Sequence, residues 1–188
     1  WNAVDAGIPV SAEAKGEAFN PEVTPVECES HFEFAANDWR GPLRVSWYQG
    51  GLLPRSPHRA IDIKAIDHGA WFRGSKGFLV ADFTTRLVIP YGGDSDLSYY
   101  KPRPKESQLP PVGHFQTQWI DACKDPSRKT ACDFEYSANM IEQLLLGLVA
   151  HRVGSKLEYD GAAGKVTNVP EANEFLSRKY RDGWVLNG

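Results

Sequence analysis

The chain has 188 residues and a mass of 20.9 kDa, enough for one substantial domain that buries about 70% of its unfolded surface. Hydrophobic residues make up 41% and charged residues 24%, which is typical of globular proteins and excludes disorder over the whole chain. The net charge of −3 argues against a nucleic-acid partner, and the lack of any apolar run near ~20 residues argues against a membrane span.

The first residues indicate that the chain is a piece of a longer protein. It begins at Trp1 rather than Met, with neither a signal peptide nor a transit sequence. We expect residues 1–24 to be an entry segment: the tail of an upstream helix, ended by Gly7, and a linker. Residues 25–188 then form the main α+β domain.

Two strands are predicted next. Over residues 26–34, Val, Cys and Phe alternate with Glu and His, and Ser30 is the one exception on the apolar side. Such alternation is typical of a strand with one buried face and one wet or partner-covered face. A second alternation, over residues 43–48, predicts the neighbouring strand.

The middle of the chain predicts short strands between long loops. We expect a basic loop over residues 53–69 and a Pro-rich surface loop over residues 91–113. Residues 74–77 read as a hairpin turn, with a phosphate cradle as the alternative. The strands lie at residues 70–73, 78–83 and 86–89.

Helices dominate the carboxyl half. Apolar residues recur at helical spacing over 114–124 and 137–153, with Ser137 as the expected N-cap of the longer helix and Gly154 as its stop. A last helix is expected from Pro170 through Tyr180.

This order of elements predicts the fold class. Strands come first and helices last, which indicates α+β rather than alternating βαβ architecture. We expect one open-faced, mostly antiparallel sheet of five or six strands. The helices over 114–124 and 137–153 should pack on its buried face.

A set of ionisable residues shares one face of the first predicted strand. Glu29, His31 and Glu33 could converge on a metal ion, or could simply form a solvated or subunit-facing surface. We assign no metal site, because no second His cluster joins them. The chain contains neither the H-E-x-x-H motif nor the G-x-S-x-G motif. A hydrolase or lyase that uses the face of Glu29, His31 and Glu33 is a third functional hypothesis.

Other side chains have both a functional and a structural interpretation. His114, at a helix start, could hydrogen-bond a ligand as neutral imidazole or could be a surface histidine. His151 suits a helix C-terminus. Basic loop residues could meet an anion or remain solvated, and strand aromatics could stack on a sugar or pack internally. These residues are Arg55, Arg59 and Lys64, and Trp39, Trp47, Tyr48 and Trp71.

The three cysteines do not form a C-x-x-C pair. Cys123 and Cys132 could bridge a short loop, although buried free thiols are the favoured interpretation.

A resemblance to a known family runs through the chain. Residues 114–124, which end in W-I-D-A-C-K after a histidine, are similar to a segment of the bacterial-type C-terminal domain of the glucose–fructose oxidoreductase/inositol dehydrogenase/MocA (Gfo/Idh/MocA) family. Trp47–Gly51 resembles its W-Y-D-G-G strand end, and Phe72–Gly77 resembles its F-I-G-x-K-G hairpin. Further similar segments follow in family order at residues 134–136, 142–150, 156–160, 166–168, 170–173 and 180–184.

The resemblance implies a fold and a function. The fold is an open-faced sheet with helices on one side, following an N-terminal Rossmann domain. The function is hydride transfer between NAD or NADP and a sugar, polyol or related carbohydrate. In the family a Gly-rich fingerprint, a Glu-Lys-Pro lysine and an Asp/His pair bind the cofactor and move the proton, and none of these occurs here. The catalytic and cofactor-binding residues would therefore lie upstream of Trp1.

We accordingly expect a substrate-binding and oligomerisation domain, inactive alone, that pairs through its sheet face. The alternative is a non-catalytic carbohydrate-binding or assembly module. The resemblance fits a bacterial cytoplasmic or an exported, periplasmic parent. Our candidates for substrate binding are His114, Tyr48, Lys64 and Arg73.

Overall fold

A computed structural model describes residues 1–56, 58–59, 61–66, 68–84, 86–92, 104–107 and 113–185. The strands are β1 (Ser11–Gly16), β2 (Cys28–Phe34), β3 (Leu43–Gln49), β4 (Gly69–Arg73), β5 (Gly77–Asp82), β6 (Arg86–Pro90), β7 (Leu157–Asp160) and β8 (Lys165–Val166). The α-helices are α1 (Phe115–Lys124) and α2 (Phe134–Val153). Short 3-10 helices lie at Asn2–Val4, Ile63–Ala65, Lys105–Ser107 and Pro170–Phe175.

The chain forms two units, each with its own antiparallel sheet. Trp1–Leu52 and Ala122–Gly188 make the first, which we call the sheet unit, and Leu53–Asp121 makes the second, the hairpin unit. The sheet unit has strand order β3-β2-β1-β7-β8, and the hairpin unit has β4-β5-β6. The architecture is therefore α+β, but the prediction of a single sheet was wrong. Consecutive strands joined by short connections pair with one another, so β4–β6 complete a sheet among themselves.

β1 is a central strand of the sheet unit, although the sequence placed it in an entry segment. Its residues Ser11–Gly16 pair along their whole length with β2, and Ser11 and Ala12 also pair with β7. Alanine and glycine have weak strand propensity, so this segment carries little local signal. It is a strand because two neighbouring strands complete its hydrogen bonds.

α2 covers one face of the sheet unit. Leu146, Val149 and Ala150 enter a core with Phe32 and Phe34 from β2. Gly147 allows the close approach, because a Cβ there would lie 2.8 Å from Cζ of Phe32 and 3.2 Å from Oγ of Ser30. The buried side of β2 is thus fixed by this helix.

α2 begins earlier than the sequence predicted. The expected N-cap, Ser137, lies inside the helix, and the cap is Asp133, whose Oδ1 accepts a hydrogen bond of 2.8 Å from the Tyr136 N–H. The helix ends as expected at Gly154, which has a φ of 70°. Capping by Asp133 adds a turn that hydrophobic periodicity alone does not mark.

The terminal helical predictions also need correction. The expected helix through Tyr180 is a 3-10 helix at Pro170–Phe175, and the expected helix tail at the start is a 3-10 turn at Asn2–Val4. Asn173 explains the first, because its side chain bonds both the N–H and the C=O of Val166, each at 2.9 Å, and ties this turn to β8. The surface loop expected over residues 91–113 lies mostly outside the described residues.

α1 begins one residue after the predicted start and ends at the predicted residue, but it is not buried as predicted. None of its side chains is buried, and Phe115 and Trp119 are 75% and 66% exposed. All three thiols are free; Cys28 is buried as expected, whereas Cys123 and Cys132 are exposed. No helix in the described part of the chain is long and apolar enough to span a membrane.

Arg40 holds the N-terminal segment against the connection between β2 and β3. Its guanidinium donates hydrogen bonds of 2.8–3.2 Å to the backbone carbonyls of Val4, Asp5, Ala6, Ala35 and Gly41. Asn37 adds a bond of 3.0 Å to the carboxylate of Asp5. The first residues are therefore an integral part of the sheet unit.

We expect Gly147→Ala to lower the free energy of unfolding by about 1 kcal/mol, because the added methyl overpacks the contact with Phe32. A helix-interior glycine with free space would give the opposite sign, a gain of about 1 kcal/mol. Urea unfolding followed by tryptophan fluorescence measures the difference. Gly41→Ala is the control, because a Cβ at Gly41 has no atom within 4 Å. A stabilised Gly147→Ala protein contradicts the packing described.

Asp133→Ala should cost about 1 kcal/mol of unfolding free energy, because it removes the side-chain acceptor at the start of α2. Ser137→Ala is the matched control and should leave stability within about 0.5 kcal/mol of the parent. Chemical denaturation followed by far-ultraviolet circular dichroism compares the two. A loss in Ser137→Ala without one in Asp133→Ala would instead identify Ser137 as the cap.

Candidate functional site

The side of β1–β3 that faces away from α2 carries polar and charged side chains. Strand register sets them in rows, so that Glu13, His31 and Ser46 stand side by side across the three strands. The next row joins Lys15 and Glu29 to Tyr48. We call this surface the polar face; it consists of Glu13, Lys15, Glu29, His31, Glu33, Arg44, Ser46 and Tyr48.

His31 is the centre of the polar face. Its Nδ1 lies 2.7 Å from Oγ of Ser46, and its Nε2 lies 2.9 Å from Oε1 of Glu29. The side chains of His31 and Glu29 are only 16% and 20% exposed. Lys15, which is largely exposed, places its Nζ 3.2 Å from the other carboxylate oxygen of Glu29. Serine, imidazole, carboxylate and ammonium thus form one connected chain.

Charge and burial set the protonation of this cluster. Burial by itself raises the pKa of Glu29, but hydrogen bonds and charge from Lys15 and His31 outweigh it, so the pKa lies below its usual value. Burial, and then the nearby carboxylate of Glu29, raise the pKa of Tyr48. At neutral pH the polar face therefore presents an ionised carboxylate beside a protonated phenol.

A second group of charges surrounds Arg44. Nη2 of Arg44 is 2.9 Å from Oε1 of Glu13, and its Nε is 3.6 Å from Oε1 of Glu33. These side chains are 41–50% exposed, so water screens the pairs and each contributes little to stability. They offer charged groups to a ligand or partner at modest desolvation cost.

The structure does not bring Glu29, His31 and Glu33 together, which the metal-binding alternative would require. Glu29 and His31 are in direct contact, whereas Glu33 pairs with Arg44. Lys15 holds the Glu29 carboxylate, which is the position that a cation would take. Among the residues described, no group of three His, Cys, Asp or Glu side chains is placed to hold a metal ion.

The four candidates for substrate binding lie on different elements. Tyr48 is on the polar face of the sheet unit. In the hairpin unit, Lys64 lies in a 3-10 helix, Arg73 ends β4, and His114 directly precedes α1; all three are exposed. Within the described ranges, no hydrogen bond or ion pair joins these three to one another. These residues are candidates because of the family resemblance and because their side chains are accessible. In the part of the chain that the structure describes, no contact between their side chains supports the choice.

The hairpin unit also carries a row of aromatic rings. Phe78 packs against Trp71 at a centroid distance of 6.0 Å and against Tyr91 at 5.1 Å. Tyr91 is 52% exposed and Trp71 36%, so the row has an accessible edge. Residues 74–77 form the predicted hairpin turn, closed by a 2.9 Å bond from the Gly74 N–H to the Gly77 carbonyl.

The remaining sequence candidates lie outside these clusters. His151 is in the last turn of α2 as expected, and its Nε2 also lies 3.0 Å from the carbonyl oxygen of Glu17. Trp39 and Trp47 are 65% and 47% exposed, which favours a surface role over core packing. Arg55 and Arg59 are exposed in the loop before β4.

Sequence reasoning missed two members of the central cluster, Ser46 and Lys15. The alternation over residues 43–48 places Ser46 on the polar side of β3 but does not show that it stands opposite His31. Lys15 belongs to β1, which the sequence did not predict as a strand. Strand register supplies both contacts, and register depends on residues far apart in the chain.

The comparisons with known proteins give no family assignment. No protein-family model matches the chain, and no curated protein matches it significantly.

Replacing Glu29 should change how stability depends on pH. A carboxyl with a lowered folded-state pKa stabilises the fold above its unfolded pKa, and this stabilisation is lost as pH falls through the folded value. Glu29→Gln should therefore lose less unfolding free energy than the parent between about pH 6 and pH 3. Urea midpoints across this range measure it. Glu22→Gln, in the exposed loop before β2, is the control, and matching profiles for Glu29→Gln and the parent would contradict the network.

Proposed function

We propose that this chain is the C-terminal substrate-binding and assembly domain of an NAD(P)-dependent oxidoreductase of the Gfo/Idh/MocA family. Its substrate would be a sugar, a polyol or a related carbohydrate. The observation that carries the proposal is the ordered series of family-like segments, which coincide with boundaries of structural elements.

Three of these segments illustrate the point. The W-Y-Q-G-G segment ends β3, where Gly50 and Gly51 turn the chain with φ of 70° and 92°. The F-R-G-S-K-G segment is the turn between β4 and β5. The segment that ends in W-I-D-A-C-K is α1 itself. Gly-rich segments lie at turns in any fold, so the support for the proposal comes from the order of the whole series.

The division of labour has a physical basis. A nicotinamide cofactor supplies the hydride when it is bound, and the protein orients a substrate carbon against it. A dinucleotide needs a Gly-rich turn between a strand and a helix, and this sequence contains no G-x-G-x-x-G. We therefore assign no cofactor contact to these residues and place the cofactor on a companion Rossmann domain.

The polar face suits the substrate or assembly role. Carbohydrate hydroxyls both donate and accept hydrogen bonds, and the polar face offers donors and acceptors close together. Tyr48 supplies a protonated phenol, Lys15 and Arg44 supply accessible cations, and Glu13 and Glu33 supply carboxylates. The same groups would serve a matching surface on a second subunit.

A second function has one specific observation in its favour. The aromatic row of Trp71, Phe78 and Tyr91 presents an accessible ring edge on a small sheet, as a non-catalytic carbohydrate-binding module would. The two functions differ in whether a nicotinamide cofactor is required.

Cofactor binding separates them. The 188-residue chain and a protein that also includes the residues encoded before Trp1 are each titrated with NADH and NADPH, and nicotinamide fluorescence is recorded. We expect binding only by the longer protein, and carbohydrate-dependent reduction of its NAD or NADP. Micromolar cofactor binding by the 188-residue chain alone overturns the assignment. Carbohydrate binding without cofactor binding by either protein selects the non-catalytic module.

A further inference from the structure

We propose that Ser46, His31 and Glu29 form a nucleophile–base–carboxylate relay through which Ser46 takes an acyl group from a small carboxylic ester. The inference stands on the geometry of these three side chains. It does not depend on the proposed oxidoreductase role.

The three groups have the contacts that an activated serine requires. Oγ of Ser46 lies 2.7 Å from Nδ1 of His31, and Nε2 of the same ring lies 2.9 Å from the carboxylate of Glu29. A nucleophile bonded to a base, which a third group orients, is the arrangement that raises the reactivity of a hydroxyl. Cross-strand register holds it, since His31 stands directly opposite Ser46.

We assign to His31 the tautomer that carries its proton on Nε2. Lys15 keeps Glu29 ionised, and the Glu29 carboxylate accepts that proton. The lone pair then lies on Nδ1, 2.7 Å from Oγ of Ser46, where it can accept the hydroxyl proton. His31 is thereby the base for Ser46, and Glu29 is a positioning residue that acts through the ring.

Exposure matches these roles. Ser46 is exposed on β3, while the His31 and Glu29 side chains are 16% and 20% exposed. An ester can reach the nucleophile, and the base stays largely shielded from water. Tyr48 stands on the same face, with its ring plane at 79° to that of His31 and a centroid distance of 6.1 Å.

The reaction balances with water as the only co-reactant. Oγ of Ser46 forms a bond to the acyl carbon, and its proton passes to Nδ1 of His31. The ester C–O bond breaks, and the alcohol leaves with that proton. Water then attacks the acyl-serine, gives a proton to Nδ1, and releases the carboxylic acid as the proton returns to Oγ. Because Ser46 lies on a strand surface, we assign short acyl groups such as acetyl.

Covalent labelling of the full 188-residue chain tests the proposal. The chain is treated with a fluorophosphonate and, separately, with p-nitrophenyl acetate, and intact mass with peptide mapping locates any adduct. We expect one adduct, on Ser46, that is lost in Ser46→Ala. Ser127→Ala is the matched control, because Ser127 is also exposed but bonds to the carboxylate of Asp125. This control should label like the parent.

The base and the positioning residue have their own tests. His31→Asn should slow labelling of Ser46 about 100-fold or more, the usual scale for loss of a general base. Glu29→Gln should slow it as well, and Glu29→Asp should restore part of the rate. Far-ultraviolet circular dichroism and a urea midpoint show that each variant is folded. The proposal fails if Ser46 acquires no adduct, or if folded His31→Asn labels as fast as the parent.

Discussion

The absence of a side chain at Gly147 sets how closely α2 approaches the sheet, and the rest of the sheet unit follows from that approach. The helix lies against Phe32 and Ser30, so these alternate residues of β2 are buried. Since side chains alternate along a strand, Glu29 and His31 must then point to the opposite side. One contact on the buried face therefore determines where the ionisable groups stand, and the polar face is a consequence of core packing.

The sequence predicted those elements whose evidence is local. Alternation of apolar and polar residues predicted β2 and β3, and an apolar stripe predicted α2. When one face of an element is buried, its apolar residues recur at a fixed spacing, and a short stretch of sequence is enough to detect that spacing. β1 has no such spacing. Its alanines and glycine form a strand only because β2 and β7 pair with it on either side. The single-sheet prediction failed for a related reason, because strand order depends on which edges pair, and composition does not record it. The exposed face of α1 shows that helical periodicity predicts a helix without predicting what covers it.

The candidate site likewise has features that local sequence predicts and features that it does not. That Glu29 and His31 share a face was predictable from spacing alone. That His31 meets Ser46, and that Lys15 meets Glu29, follows from the registers between β2 and its two neighbours, which link residues 15 and 14 positions apart. The protonation of Tyr48 depends on that register as well, because the carboxylate beside it comes from another strand. The resemblance to a family suggested the function that we propose. The contacts among Ser46, His31 and Glu29 could be found only from the structure.

Arg40 gives the sheet unit a property that neither sheet nor helix provides. Its guanidinium collects carbonyl groups from the first turn of the chain and from the connection after β2, segments about 30 residues apart. A lysine has three donors on one nitrogen and could not span them. Release of the first turn would leave the guanidinium of Arg40 without three of its five carbonyl acceptors. Opening of one segment therefore weakens the hold on the other, and their local stabilities are coupled.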